Sequence, residues 1–267
     1  RFNILNEFVD YFVIVESTVN HQGKPKKLQF DINKYQKFKN KIRYIIVDDT
    51  PDNIKKPHEG GESLVEQYQR NSLMRILSKA NDDDIIILSD VDEIPNLKKL
   101  NLFNKKNYAV FSQKMFMYKI NFLNLDENNW HGSKICLKKN LKSPQWLRNV
   151  KDKKYSFFRL DTLFSEKKYI NIKFINNGGW HFSNIKTPEE IRYKLTSYLH
   201  HGEFDENPLS VNQIQEIIKS KRAIYDLKAD QRSNKIGFNG NELVKYPIDK
   251  LPKYLKDNLN NFENWID

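Results

Sequence analysis

Ile85-Ile86-Ile87-Leu88-Ser89-Asp90-Val91-Asp92-Glu93-Ile94-Pro95 is the stretch on which the fold turns. Four successive aliphatic residues, three of them β-branched, are too few for a helix and predict a strand buried on both faces. The strand delivers Asp90, Asp92 and Glu93 to its carboxyl end, where Ile94-Pro95 stops it. Two carboxylates one residue apart in such a turn can share a divalent ion. Hard oxygen ligands suit Mg²⁺ or Mn²⁺, whose remaining positions can take phosphate oxygens. Asp-x-Asp is common by itself; its place directly after four aliphatics makes it a candidate metal site.

Outward from this strand the pattern repeats. Phe12-Val13-Ile14-Val15 ends at Glu16-Ser17, and Tyr44-Ile45-Ile46-Val47 ends at Asp48-Asp49. Such runs suit parallel strands. In open α/β sheets the ligand crevice lies beyond the carboxyl ends of the strands, which puts Glu16 among the candidates for a nucleotide side of the site. Glu62 to Lys79 reads as a helix, with Val65, Tyr68, Ser72 and Ile76 on one face and Leu73 and Leu77 beside them. Asn81 to Asp84 is a polar turn whose aspartates serve solvation. Tyr108 to Ile120 is further strand-like sequence. Thr187-Pro188-Glu189-Glu190 predicts a helix start, with a threonine cap, a proline at the first position and a capping box. Ile191, Leu195, Tyr198 and Leu199 form its buried stripe, and Gly202 is expected to end it. No repeat or Pro/Gly/Ser-rich linker interrupts the chain. The expected architecture is one compact α/β domain over residues 1–267, a mostly parallel sheet flanked by helices, with an irregular C-terminal region.

Three more constellations carry chemistry. In Asn177-Gly178-Gly179-Trp180-His181-Phe182-Ser183 the glycines let backbone approach a ligand. Trp180 could be a wall for a sugar ring, and His181 could ligate a metal through a neutral imidazole. The alternative is a Gly-Gly turn with a core tryptophan and a hydrogen-bonded histidine. In His200-His201-Gly202-Glu203-Phe204, the histidines can complement a helix dipole, and Glu203, just past the helix end, could be a general base, with Glu93 the next choice. Gln69 and Arg70, on the helix before the acidic strand, could meet a diphosphate or a base, since a guanidinium matches phosphate geometry. Arg70 could equally be a surface residue.

Composition narrows the classes. Of 267 residues 39% are hydrophobic and 13% aromatic, enough for a core. The formal charge of +11 suits an anionic ligand. The lysines are spread evenly among abundant asparagine and isoleucine, so the charge reads as compositional bias, and a nucleic-acid partner is not expected. A single cysteine, Cys136, excludes intrachain disulfides and cysteine zinc clusters. No apolar run approaches the ~20 residues that span a bilayer. No signal peptide is visible and no asparagine opens an N-x-Ser/Thr sequon, so a cytoplasmic protein is expected, with an anchor upstream of Arg1 left open.

Several blocks, in order, resemble glycosyltransferase family 17, the bisecting N-acetylglucosaminyltransferase family. They are Val9-Asp10 through Phe12-Val13-Ile14-Val15-Glu16-Ser17, Gly23-Lys24-Pro25-Lys26-Lys27-Leu28, Gln69-Arg70-Asn71 and Ser89-Asp90-Val91-Asp92-Glu93-Ile94-Pro95. Trp130-His131-Gly132-Ser133, Leu147-Arg148, Gly178-Gly179-Trp180-His181-Phe182-Ser183, and Lys194-Leu195 with the His-Gly-Glu-Phe run complete the set. The matches cover roughly residues 1 to 205. The resemblance implies the fold called GT-A, which is Rossmann-related, and an inverting, metal-dependent transfer from a UDP-sugar, with UDP-N-acetylglucosamine the donor and a glycan hydroxyl the acceptor. It implies that Asp90 and Asp92 are the family's Asp-x-Asp, and that the late histidine, His181, completes the Mn²⁺ or Mg²⁺ site. It implies too that a strand and an Asn-Glu-bearing loop, usual upstream of the position matching Arg1, are missing or not included.

Two other readings stay open. A metal-dependent phosphoesterase or nuclease could use the same acids, but would need a second cluster for a second ion, and none is evident. A glycan-binding module that has lost catalysis could use Trp180 and Trp130 as platforms.

Overall fold

The computed structural model describes residues 1–55, 63–105, 108–125, 129–156, 158–162, 164–197, 201–226 and 235–267, with backbone alone for 197 and 201–203. In chain order the strands are β1 (Phe12–Ser17), β2 (Ile42–Val47), β3 (Ile85–Leu88), β4 (Glu93–Pro95), β5 (Ala109–Met117), β6 (Phe122–Asn124), β7 (Trp130–Leu137), β8 (Lys173–Ile175), β9 (Gly179–Ser183) and β10 (Leu243–Lys245). The α-helices are α1 (Phe2–Leu5), α2 (Leu64–Asn71), α3 (Met74–Leu77), α4 (Pro144–Asn149), α5 (Pro188–Ser197), α6 (His201–Glu206), α7 (Val211–Lys219) and α8 (Lys253–Asp257). The chain divides into two compact units. The first holds Arg1–Asp90, Asn96–Phe111 and His131–Asn176; the second holds Val91–Pro95, Ser112–Trp130 and Asn177–Asp267.

In the first unit β1 and β2 pair in parallel, Phe12 opposite Ile42 through Ser17 opposite Val47, as their apolar runs predict. The acidic-end strand departs from expectation. β3 is antiparallel to β7, Ile85 opposite Leu137 and Leu88 opposite Lys134, and its four residues are only half-buried. The chain also leaves β3 at Leu88 and re-enters a strand at Glu93, so Ile94-Pro95 belongs to a new strand. The pairs β1–β2, β5–β8 and β5–β9 are parallel, whereas β3–β7, β4–β9, β5–β6 and β6–β10 are antiparallel. The fold is therefore α/β with mixed strand directions, not mostly parallel. An apolar run shows that a segment is buried and extended, but not which neighbour its ladder finds.

The helix expected over 62–79 is broken into α2 and α3. Ser63 caps α2 by accepting from the Glu66 N–H, and the Ser72 hydroxyl bonds back to the Tyr68 carbonyl at 2.9 Å, a bond that bends helices. Val110, Cys136, Trp146, Leu147, Val150 and Ile172 belong to one apolar cluster here, with Ile86 and Leu88 of β3 packed against it.

In the second unit β4 and β9 are antiparallel, with Glu93 opposite His181, Ile94 opposite Trp180 and Pro95 opposite Gly179. The end of β5 runs parallel to β9. The capping box at α5 is as predicted: Thr187 N–H donates to Glu190 Oε2 at 2.9 Å, and Glu190 N–H to Thr187 Oγ1 at 3.3 Å. Ile191 and Leu195 are fully buried, while Tyr198, Leu199 and His200 lie outside the described residues. Gly202 does not end a helix: it lies inside α6, which Phe204 anchors in the core beside Ile191 and Leu195. The C-terminal stretch is more regular than expected. A Ser210–Gln213 capping box starts α7, whose Ile214 and Ile217 are buried, and β10 pairs with β6.

Candidate active site

Asp90 lies in the first unit among guanidinium groups. Arg148 Nη2 stands 3.2 Å from Asp90 Oδ2, Arg70 Nη2 is 3.9 Å from Oδ1, and Arg1 donates to the Asp90 carbonyl. Local sequence explains how Arg148 arrives. Ser143 caps α4 by accepting from the Trp146 N–H at 3.0 Å, Pro144 fits the first turn, and Trp146 and Leu147 bury the other face. Buried Lys134, on β7, donates to the carbonyls of Arg148 and Val150 at 2.6 Å each. A cation on those end carbonyls fixes the last turn of α4 and with it Arg148. Arg70 is itself held by Glu66 and Gln145, as a positioned rather than a free surface residue. Ser89 and Ser133 share a hydroxyl hydrogen bond at 2.5 Å just before Asp90.

Two other first-unit candidates have their polar groups engaged. Gln69 donates to the Val15 carbonyl at 3.3 Å. Both oxygens of Glu16 are filled: Oε1 accepts from Lys26 Nζ and the Gln29 N–H, Oε2 from the Phe30 N–H and the Tyr44 hydroxyl. Burial alone would raise the Glu16 carboxyl, but these four donors hold it below the usual range. In turn burial and Glu16 push the Tyr44 phenol up to about 12. The carboxylate ties β1 to β2 and to the segment after β1.

Asp92 lies in the second unit. The turn Asn177-Gly178-Gly179 launches β9, with Asn177 at φ 48° and Gly179 at φ 134°, a region that glycine enters without strain. The Gly178 N–H bonds the Ser112 carbonyl at 2.7 Å, and the Phe182 N–H bonds the Asp92 carbonyl at 2.9 Å. These bonds set His181 with Nε2 3.3 Å from Asp92 Oδ2. His181 is 6% exposed and its ring lies on Trp130, with centroids 4.7 Å apart. Its Nδ1 is buried and has no hydrogen-bond partner. Burial works to raise the Asp92 carboxyl, but the His181 hydrogen bond and the charges of His181 and Lys194 hold it below the ordinary carboxylate range. Burial lowers the Lys194 ammonium, which Asp92 opposes; Lys194 also donates to Asn184 Oδ1 at 2.8 Å.

Glu93, opposite His181, is 2% exposed and accepts from Trp130 Nε1 at 3.0 Å. Trp180 follows the alternation of the strand onto the other side of β9, where it packs with Phe116, Leu123 and Leu251. Trp130, not Trp180, is therefore the indole beside His181. Glu203 has its backbone inside α6 instead of past a helix end, and its side chain lies outside what is described.

Among the described residues no group of three or more His, Cys, Asp or Glu could hold a metal ion. Asp92 and His181 nonetheless fit part of one. An octahedral ion with arms of about 2.1 Å separates neighbouring donors by about 3.0 Å, leaving other positions for phosphate oxygens and water; the observed donor gap is 3.3 Å. Asp90 by contrast faces arginines. The unpartnered Nδ1 departs from the usual metal-bound histidine, whose second nitrogen is hydrogen-bonded.

Reading the sequence residue by residue gives Arg148, Lys134 and Lys194 no role. A signal for two of them is present in the Leu147-Arg148 and Lys194-Leu195 blocks of the family resemblance.

In this α/β chain the two acids after β3 thus keep different company, Asp90 with guanidinium groups and Asp92 with an imidazole. The chain belongs to glycosyltransferase family 17, whose model matches residues 1–266. Among its curated relatives is the beta-1,4-mannosyl-glycoprotein 4-beta-N-acetylglucosaminyltransferase of Homo sapiens, 22% identical over 294 aligned residues, which cover 100% of this chain and 52% of the relative. The protein of the same name from Rattus norvegicus is 22% identical over 242 residues, covering 82% and 44%. The chain thus spans about half the length of the curated relatives it matches. No solved structure matches. No helix among the described residues is long and apolar enough to cross a membrane.

Proposed function

We propose that this chain is a nucleotide-sugar glycosyltransferase of the GT-A type that moves N-acetylglucosamine from UDP-N-acetylglucosamine to a glycan hydroxyl, with inversion at the anomeric carbon. The observation that carries the reading is the different company of the two aspartates: Asp90 with Arg148 and Arg70, Asp92 with His181 at 3.3 Å. Family membership and the names of the relatives support it.

Arg148 and Arg70 bind the diphosphate, since guanidinium forks match phosphate oxygens. Asp90 keeps these arginines aimed and can accept from a ribose or sugar hydroxyl. Asp92 and His181 would hold Mn²⁺ or Mg²⁺, which when bound neutralises charge on the leaving UDP. Trp130 limits the rotation of the His181 ring by a tilted ring contact and holds the position of Glu93 by its N–H. The acceptor proton goes to a carboxylate, Glu203 first and Glu93 next.

Incubation with Mn²⁺, a panel of nucleotide sugars and mannose-terminated acceptors tests this by released UDP. UDP-N-acetylglucosamine should be turned over, and Asp92→Asn and Arg148→Gln should each abolish most of the turnover. Transfer from no nucleotide sugar, together with phosphodiester hydrolysis that depends on Asp92, would replace the reading with a phosphoesterase.

A further inference from the structure

The loop between α4 and β8 has no part in this chemistry and carries an unusual surface. The Lys151 N–H donates to the Lys167 carbonyl at 2.7 Å, which closes the segment at its neck. Beyond the neck the chain turns on itself. The Arg159 N–H bonds the Ser156 carbonyl at 3.0 Å, the Thr162 N–H bonds the Arg159 carbonyl at 3.0 Å, and one helical turn spans Leu160–Thr162. The Thr162 hydroxyl, buried under the turn, donates to the Arg159 carbonyl at 2.6 Å. The tip is thus hydrogen-bonded within itself. It still presents Phe158 at 88%, Leu160 at 71% and Phe164 at 89% exposure.

Charge is distributed just as unevenly. Lys151, Lys153 and Lys154 enter the loop, and Lys167 and Lys168 leave it, so the neck bond gathers lysines from both sides into a collar. The acids of the segment are taken: Asp152 by His131 at 2.7 Å, Asp161 by Arg159 at 2.6 Å and Lys168 at 2.7 Å, Glu166 by Lys142 at 3.2 Å. Lys151, Lys153 and Lys167 are exposed, as is Lys154, whose ammonium stands over the Phe174 ring at 6.0 Å from its centroid.

We infer that this loop docks the protein on an anionic bilayer, with Phe158, Leu160 and Phe164 entering the boundary between headgroups and acyl chains and the lysine collar resting on acidic headgroups. The shape argues for a bilayer. A stable protein interface takes about 800 Å² per partner, more than the three exposed apolar side chains among the described residues of this turn supply. Interfacial insertion needs only a small apolar tip when cations assist it, and each lysine near an acidic surface adds about fivefold in affinity. The inference is independent of the transferase reading.

Sedimentation of the whole chain with phosphatidylcholine vesicles, with and without phosphatidylglycerol, tests it. The wild type should bind the vesicles that contain phosphatidylglycerol. Phe158→Ser/Leu160→Ser/Phe164→Ser and Lys151→Gln/Lys153→Gln/Lys154→Gln/Lys167→Gln should each bind at least about tenfold more weakly at an unchanged Tm. Phe158→Trp gives a second readout: its emission should shift to the blue and be quenched by brominated lipid. Absence of vesicle binding would overturn the inference, as would a serine triple variant that binds like wild type, which would leave attraction by net charge alone. Retention on polyglutamate that needs the three apolar residues, without vesicle binding, would assign the loop to an acidic protein instead.

Discussion

Replacing His181 by leucine separates a metal ligand from a core histidine. Nε2 stands 3.3 Å from a carboxylate whose side chain is 32% exposed. A bond that long to a partly solvated acceptor is worth about 1–1.5 kcal/mol, and the tilted ring contact with Trp130 adds about 0.5–1 kcal/mol. Against this, Nδ1 is buried without a partner, and removing such an atom returns about 1–3 kcal/mol. Leucine fills much of the same volume beside Trp130, so the cavity contribution is small. The sum is a change in metal-free stability within about 1.5 kcal/mol in either direction, measured by urea unfolding in EDTA. Mn²⁺-dependent affinity for UDP, measured by calorimetry, should fall at least about tenfold, since even groups that only support a ligand cost 10–100-fold. A stability loss above about 3 kcal/mol with unchanged affinity for UDP in Mn²⁺ would refute the reasoning and make His181 a structural residue.

Arg148→Gln should weaken UDP binding by about tenfold or more in calorimetry, yet change stability by less than about 1 kcal/mol, because its contact with Asp90 is partly solvent-exposed. Lys134→Met removes two hydrogen bonds from a charged donor to the end of α4, and urea unfolding should show a loss of about 2–4 kcal/mol. Glu16 has its carboxyl lowered on folding, so its contribution is fully present above the unfolded value of about 4.3 and is lost as pH falls through the folded value. Glu16→Gln should therefore cost about 2 kcal/mol at pH 7, with the gap to wild type closing on acidification. Glu203→Gln should lower turnover by about 10²–10⁴ with UDP affinity and Tm near wild type; a loss under about tenfold moves the base elsewhere.

The sequence by itself determined what depends on near neighbours along the chain. Apolar runs of four became β1, β2 and β3, and Thr187 with Glu190 capped α5, because burial and capping are decided within a few residues. The family was legible in its motif blocks, and the match over residues 1–266 bears it out. The place of Asp90 and Asp92 just after an aliphatic strand was legible too. What only the tertiary structure decided were the partners. Whether β3 ran parallel depended on β7, nearly fifty residues later in the chain, and its ladder proved antiparallel. Glu16 lay where the acids collect, yet four donors from elsewhere in the chain filled its oxygens. Arg148 meets Asp90 from an α4 end whose carbonyls Lys134 holds, and the alternation of β9 turned His181 to Trp130 while it sent Trp180 to the opposite apolar cluster. Residue type sets which interactions a side chain can make; long-range packing sets which of them it does make.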